Sequence, residues 1–150
     1  MYTPHTVTIY NVSRETDLST FDDVDTNNIT VLSGVFLDAT KGTNVRESGL
    51  ESADAVVLYI PFSVTAYDGV SGLAKTYVPP MEYWRAADKS KIWTLSADRN
   101  TFFVKGKVVE DIHATEEYIN LMHDNVFVVT KVDEKDFGSA GLQHWEVGGA

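Results

Sequence analysis

The chain has no cysteine. That absence removes disulfides, thiol catalysis and every thiolate metal site at once. No apolar run approaches the roughly 18 residues that a membrane-spanning helix needs. The opening Met1-Tyr2-Thr3-Pro4-His5 carries neither a basic region nor an apolar stretch of signal type. A soluble protein made in the cytoplasm, without membrane contact, is therefore expected. Basic residues are also scarce, 12 Lys and Arg against 22 Asp and Glu, and they never form a run of three. At a net charge of −10 the chain does not draw its affinity from neutralising many phosphates. An acidic surface suits a spacer or conduit past which DNA moves without sticking, and equally an ordinary soluble domain.

Catalytic spacings are missing as well. The four histidines, His5, His113, His123 and His144, form no zinc motif, and His144 with Glu146 reads as a polar pair on one strand face. There is no G-x-S-x-G elbow, and Gly69, Gly72 and Lys75 lack the frame of a phosphate-binding loop. Asp23-x-Asp25-x-Asn27 has the spacing that opens a calcium loop. Asn28 then stands where that loop needs glycine and Gly34 where it needs glutamate, so a solvated acidic turn is expected. No catalytic residue, cofactor or metal ligand is predicted, and a non-enzymatic role follows.

What is present is strand pattern. Ala55-Val56-Val57-Leu58-Tyr59-Ile60 is the most continuous apolar run, and Pro61 closes it because proline cannot donate to a ladder. It reads as the central strand, covered on both faces. Thr6–Tyr10 alternates with period two and predicts a half-buried strand with Val7 and Ile9 inward. A polar loop is expected over residues 11–28, with Leu18, Phe21 and Val24 as apolar anchors. Thr30–Leu37 is a second strong strand with a bulge or a close backbone approach at Gly34, and residues 38–54 read as loop. Ile92–Leu95 and Thr101–Lys105 read as a hairpin, with Gly106 kinking the chain before Lys107–Val109 continues it. A short helix is predicted near 114–122, capped by Thr115, with Ala114, Tyr118, Leu121 and Met122 as its apolar stripe. Asn125–Val132 and Gln143–Val147 close the sheet. The expected architecture is a single domain over residues 1–150, mainly β. It is a small antiparallel β-barrel or sandwich with one short helix and one long loop. The runs at Val31–Leu37, Ala55–Ile60 and Val126–Val132 are expected to supply the core.

The long loop is residues 63–90. It carries an aromatic and apolar density unusual for a connection, and loops of this length are commonly functional. Either its side chains fold back over a barrel mouth or they meet another chain. Tyr67, Tyr77, Val78, Pro79, Pro80, Tyr83 and Trp84 are the predicted partner-binding residues.

The order of the segments Pro4–Asn11, Thr30–Val35, Asp54–Pro61, Tyr77–Pro80, Trp93–Leu95, Asp136–Ser139 and Gln143–Val147 resembles a family of small phage proteins. These are the minor capsid or head–tail connector proteins, of head-completion or stopper type, of tailed bacteriophages of Gram-positive hosts. The resemblance covers most of the chain and rests on structural motifs. It implies a structural virion protein that forms a homo-oligomeric ring in the neck, between portal or adaptor and tail, helping to retain DNA and join the tail. Its partners would be itself, the portal or adaptor and tail proteins, and DNA passing through the lumen without sequence-specific binding. The helix and the closing strand exceed the shortest stoppers, which keeps a tail terminator or other neck protein as an alternative. A small-ligand-binding β-barrel is the alternative of another class, and would need a preformed apolar cavity.

Overall fold

A computed structural model of the chain describes residues 3–16, 18–21, 23–39, 56–98 and 100–150. Ala55, at the head of the predicted central strand, and most of the predicted 38–54 loop lie outside the described residues. The strands are β1 (His5–Thr16), β2 (Asp23–Asp38), β3 (Val56–Pro61), β4 (Thr65–Asp68), β5 (Thr76–Tyr77), β6 (Ile92–Trp93), β7 (Thr101–Lys105), β8 (Val126–Lys135) and β9 (His144–Gly149). Two helices, α1 (Pro80–Arg85) and α2 (Glu116–Met122), and a 3₁₀ turn at Ala140–Leu142 complete it. The protein is mainly β, as its alternating runs predict. The main sheet runs β1-β7-β8-β9-β3-β2, and β1 pairs back onto β2. All these pairings are antiparallel, so six strands close into a barrel, and β4 pairs with β2 at Thr30–Ser33, next to the stretch Phe36–Asp38 that pairs with β3. Closure satisfies the edge groups that an open sheet would leave to solvent or to another chain.

Gly34 makes that closure possible. The register of β1 on β2 steps from His5↔Val35 to Thr6↔Ser33, leaving Gly34 as the extra residue, at φ +93°. A side chain is strained at that dihedral, and the bulge turns β2 from its partners β1 and β4 onto β3. The bulge read from the sequence is present.

Two apolar clusters hold the fold. One fills the barrel with Val7, Ile9, Leu32, Val35, Leu58, Ile60, Phe103, Val129 and Val147 among others, and Trp93, Leu95 and Trp145 belong to it. The other gathers Tyr10, Val12, Ile29, Phe102 and Val104, with Ile119 of α2 packed among them. β1 is therefore buried on both faces, with Tyr10 stacked on Phe102 at 4.7 Å, rather than half-buried. The central strand departs in the opposite sense, because Val56, Leu58 and Ile60 are buried while Val57, Tyr59 and Pro61 are only half-covered. The core also draws on more than the three predicted runs. β8 contributes one fully buried residue, Val129, whereas β1, β7, β9 and the Trp93–Leu95 segment contribute large ones.

Several local expectations are corrected by long-range pairing. The predicted polar loop over 11–28 is mostly ladder, since β1 and β2 pair from Asn11↔Asn28 out to Thr16↔Asp23. Asp23, Asp25 and Asn27 thus lie on a strand and not in a calcium-type loop. Asp25 faces Arg14 at 3.7 Å, and the amide of Asn27 donates to the carbonyls of Ala114 and Asp111. Leu18 and Phe21 are not anchors: at the turn of this hairpin they are 84% and 80% exposed. Ile92–Trp93 does not form a hairpin with β7 but pairs in parallel with Thr76–Tyr77. Gly106 does end β7, but the chain after it is no strand. Instead the Val108 N–H donates to the Thr8 hydroxyl and the Val108 carbonyl accepts from the Tyr10 hydroxyl. The helix is where the capping pattern puts it, with the Thr115 hydroxyl accepting the Tyr118 N–H. Its buried residue is Ile119, and the predicted stripe members Tyr118, Leu121 and Met122 face outward.

The largest correction concerns residues 63–90, which are not an irregular loop. They contain β4, β5 and α1, and are fastened to β2 by a buried ammonium. Lys75 Nζ lies 2.9 Å from Asp68 Oδ1, and donates to the Ile29 carbonyl at 3.1 Å, the Thr30 hydroxyl at 3.0 Å and the Asn28 side-chain oxygen. Asn28 in turn donates to the Tyr83 hydroxyl, fixing α1, and to the carbonyls of Lys89 and Ile92. Burial pushes the Tyr83 phenol up to about 12. Burial likewise lowers the Lys75 ammonium, with Asp68 opposing that shift.

Asp68 gives a pH prediction. Burial raises its pKa, but hydrogen bonds from Lys75, Ser71 N–H and Val70 N–H outweigh burial and leave it below the usual 3.8. Between 3.8 and the lower folded-state value the unfolded chain binds more protons, so stability falls as the pH falls through that window. Denaturant melts from pH 5 downward are expected to show this acid loss in the wild type and a flatter acid limb in Asp68→Asn. Equal acid limbs would refute it.

Candidate partner-binding cleft

Trp145 stands on β9, where the period-two alternation turns it and Val147 inward. Over it the parallel pair β5–β6 brings Tyr77, whose ring centroid is 4.4 Å from that of Trp145 and 5.2 Å from that of Trp93. Phe62 closes the same cluster at 4.4 Å from Trp145. Asn11, fully buried in β1, holds the facing segment in place. Its amide donates to the Thr94 carbonyl at 2.9 Å and its oxygen accepts the Thr94 N–H at 3.3 Å. These restraints leave an open cleft of about 400 Å³, walled by Tyr77, Pro79 and Pro80 on one side, Leu95, Ser96 and Ala97 on another, and Val132, Glu134 and Trp145 on β8 and β9.

The cleft is lined mainly by apolar side chains. The indole N–H of Trp145 is buried and has no acceptor among the described residues. Glu134 is exposed; after burial, its charge is the next cause that raises the Tyr77 phenol. Beside the cleft, β8 pairs with β7 only at Val126–Val128, while Val129–Lys135 pairs with β9. Among the described residues no strand pairs with the other edge of 131–135. An extended segment laid there would find backbone donors and acceptors, an aromatic floor and a carboxylate. Among the described residues no group of three or more His, Asp or Glu side chains is placed to hold a metal.

The seven predicted partner residues separate. Tyr77, Pro79 and Pro80 meet at the cleft, and the Val78 N–H ties to the Trp93 carbonyl beside it. Tyr83 is fully buried and cannot offer a surface, which corrects its assignment. Trp84 lines a different hollow, with Arg14 and Lys89, and Tyr67 lies on β4 under the Lys107 ammonium at 5.7 Å. Trp145, Leu95, Val132 and Glu134 were not predicted. Trp145 was legible as an inward residue of the closing strand, but its partner Tyr77 lies 68 positions away and no local pattern joins them.

No curated protein and no solved structure matches the chain. One family model does, over residues 2–150, and its description is a family of unknown function (DUF6751); the chain belongs to that family.

Proposed function

We propose that this protein is a structural component of a tailed-phage neck, a head–tail connector of head-completion or stopper type that assembles as a ring between portal or adaptor and tail. The observation that carries this reading is a barrel filled by its own side chains combined with large apolar residues left outside. The interior holds Phe103, Trp93, Leu58 and Ile60 at 0–1% exposure, where a ligand-binding barrel would keep a cavity. Leu18 and Phe21 at the β1–β2 turn, and Leu121 and Met122 on α2, face outward instead. Such side chains suit contact with a neighbouring copy or neck protein. The Tyr77–Pro79–Pro80 cleft, with the adjoining edge of β8, is the second contact. The net charge of −10 fits a lumen through which DNA slides.

Native mass spectrometry and particle averaging are expected to show a closed ring. The double variant Leu18→Asp, Phe21→Asp should give monomers with an unchanged thermal midpoint, because both side chains are outside the core. A wild-type chain that remains monomeric across the full accessible concentration range, or a double variant that still forms the ring, would count against this assembly.

A further inference from the structure

A hollow of about 320 Å³ lies between β1 and the end of α1, lined by Val12, Ser13, Arg14, Trp84, Lys89 and Asn100. Every polar side chain in that set can donate a hydrogen bond, and among the described residues no carboxylate lines it, in a chain where acids outnumber bases 22 to 12. We propose that this hollow is an oxyanion site that takes a phosphate group.

Three observations on its walls support that chemistry. The Trp84 indole N–H is buried and has no acceptor among the described residues. A buried donor without a partner loses its hydration and gains nothing for it, so a small turn of the indole toward an oxyanion in the hollow would supply the missing acceptor. Arg14 pairs with Asp25 through Nε at 3.7 Å, and its side chain is 51% exposed, so the guanidinium offers exposed N–H groups to a tetrahedral anion. Lys89 Nζ donates to the Ala86 carbonyl at 2.6 Å and rests 5.7 Å from the Tyr83 ring centroid, which positions the ammonium while leaving further hydrogens to donate.

Asp88 and Asp98 nearby are engaged with their own turns. Asp88 accepts from the Ser90 N–H and hydroxyl, and these hydrogen bonds hold it below the usual carboxylate range. Asp98 accepts from the Asn100 N–H at 3.0 Å. Burial raises Asp98, and hydrogen bonds from Ser96 and Asn100 more than offset that. Asp25 is the partner of Arg14, and its charge is met by the guanidinium it faces. A free phosphate and the phosphodiester of a nucleic-acid strand offer the same oxygens.

The three tryptophans give three indole N–H signals in a proton–nitrogen correlation spectrum, and Trp84→Phe identifies the relevant one by its loss. Titration of the full chain with inorganic phosphate at constant ionic strength is expected to move that signal saturably, leaving those of Trp93 and Trp145 in place. The double variant Arg14→Gln, Lys89→Gln, with its fold checked by an unchanged thermal midpoint, should bind about tenfold more weakly, a change of about 1.4 kcal/mol. A dinucleoside monophosphate without terminal phosphate is the second arm. Movement with it assigns the site to a phosphodiester, and movement with inorganic phosphate alone assigns it to free phosphate; both support the proposal. No saturable movement with either probe, unchanged affinity in the double variant, or an equal response to acetate would overturn it.

Discussion

Leu58→Asp is expected to leave the chain unfolded at ambient temperature. Leu58 is completely buried in the middle of β3, between β2 at Leu37 and β9 at Val147. An aspartate there would sit among apolar side chains with no cation, so the site loses the buried isopropyl group and gains an unpaired charge or a protonated acid without a partner. The cost is above about 4–5 kcal/mol, against a total of about 5–15 kcal/mol for a typical domain. The same substitution one residue earlier is the control. Val57 lies on the outer, half-covered face, so Val57→Asp should cost about 1 kcal/mol and leave a cooperative melt. Circular dichroism melts of both variants measure the difference. Equal midpoints would show that β3 does not present Leu58 to the core in this register.

Lys75→Met should be the most damaging polar substitution. The Lys75 side chain has no exposed surface, and its ammonium serves four acceptors on β2 and β4. Removing it strands Asp68, whose side chain is 16% exposed, and leaves the oxygens of Asn28, Ile29 and Thr30 without that donor. Breaking a buried pair from one side costs about 3–5 kcal/mol, because the remaining charge has lost both water and partner. The loss should spread, since Asn28 also holds the Tyr83 hydroxyl and the carbonyls of Lys89 and Ile92. Urea unfolding measures it, and the double variant Lys75→Met, Asp68→Asn should recover part of the loss by removing the stranded charge. A single-variant loss below about 1 kcal/mol would mean that this network does not hold residues 63–90 to the barrel.

The 63–90 segment shows why sequence reading stopped where it did. Its glycines and prolines are turn signals, and between them β4, β5 and α1 are two to six residues long, too short to carry a period. What organises them is one lysine whose acceptors lie 45–47 positions away on β2, together with Asp68. A lone Lys among polar residues reads as exposed because Lys is so seldom buried. The α2 stripe failed for a related reason. Helical spacing allowed Tyr118, Leu121 and Met122 to face the core, but only the position of the second cluster selected Ile119.

The sequence by itself determined the β class, the strands with continuous or alternating apolar runs, the bulge at Gly34 and the Thr115 cap. Each depends on a backbone preference or a period that acts within a few residues. Tertiary structure alone decided that β1 returns to β2 to close the barrel, that Tyr83 is internal, and that Tyr77 meets Trp145 over a cleft. Those outcomes come from which buried surfaces and hydrogen-bond partners fit together across the chain, and local propensity contains no information about them.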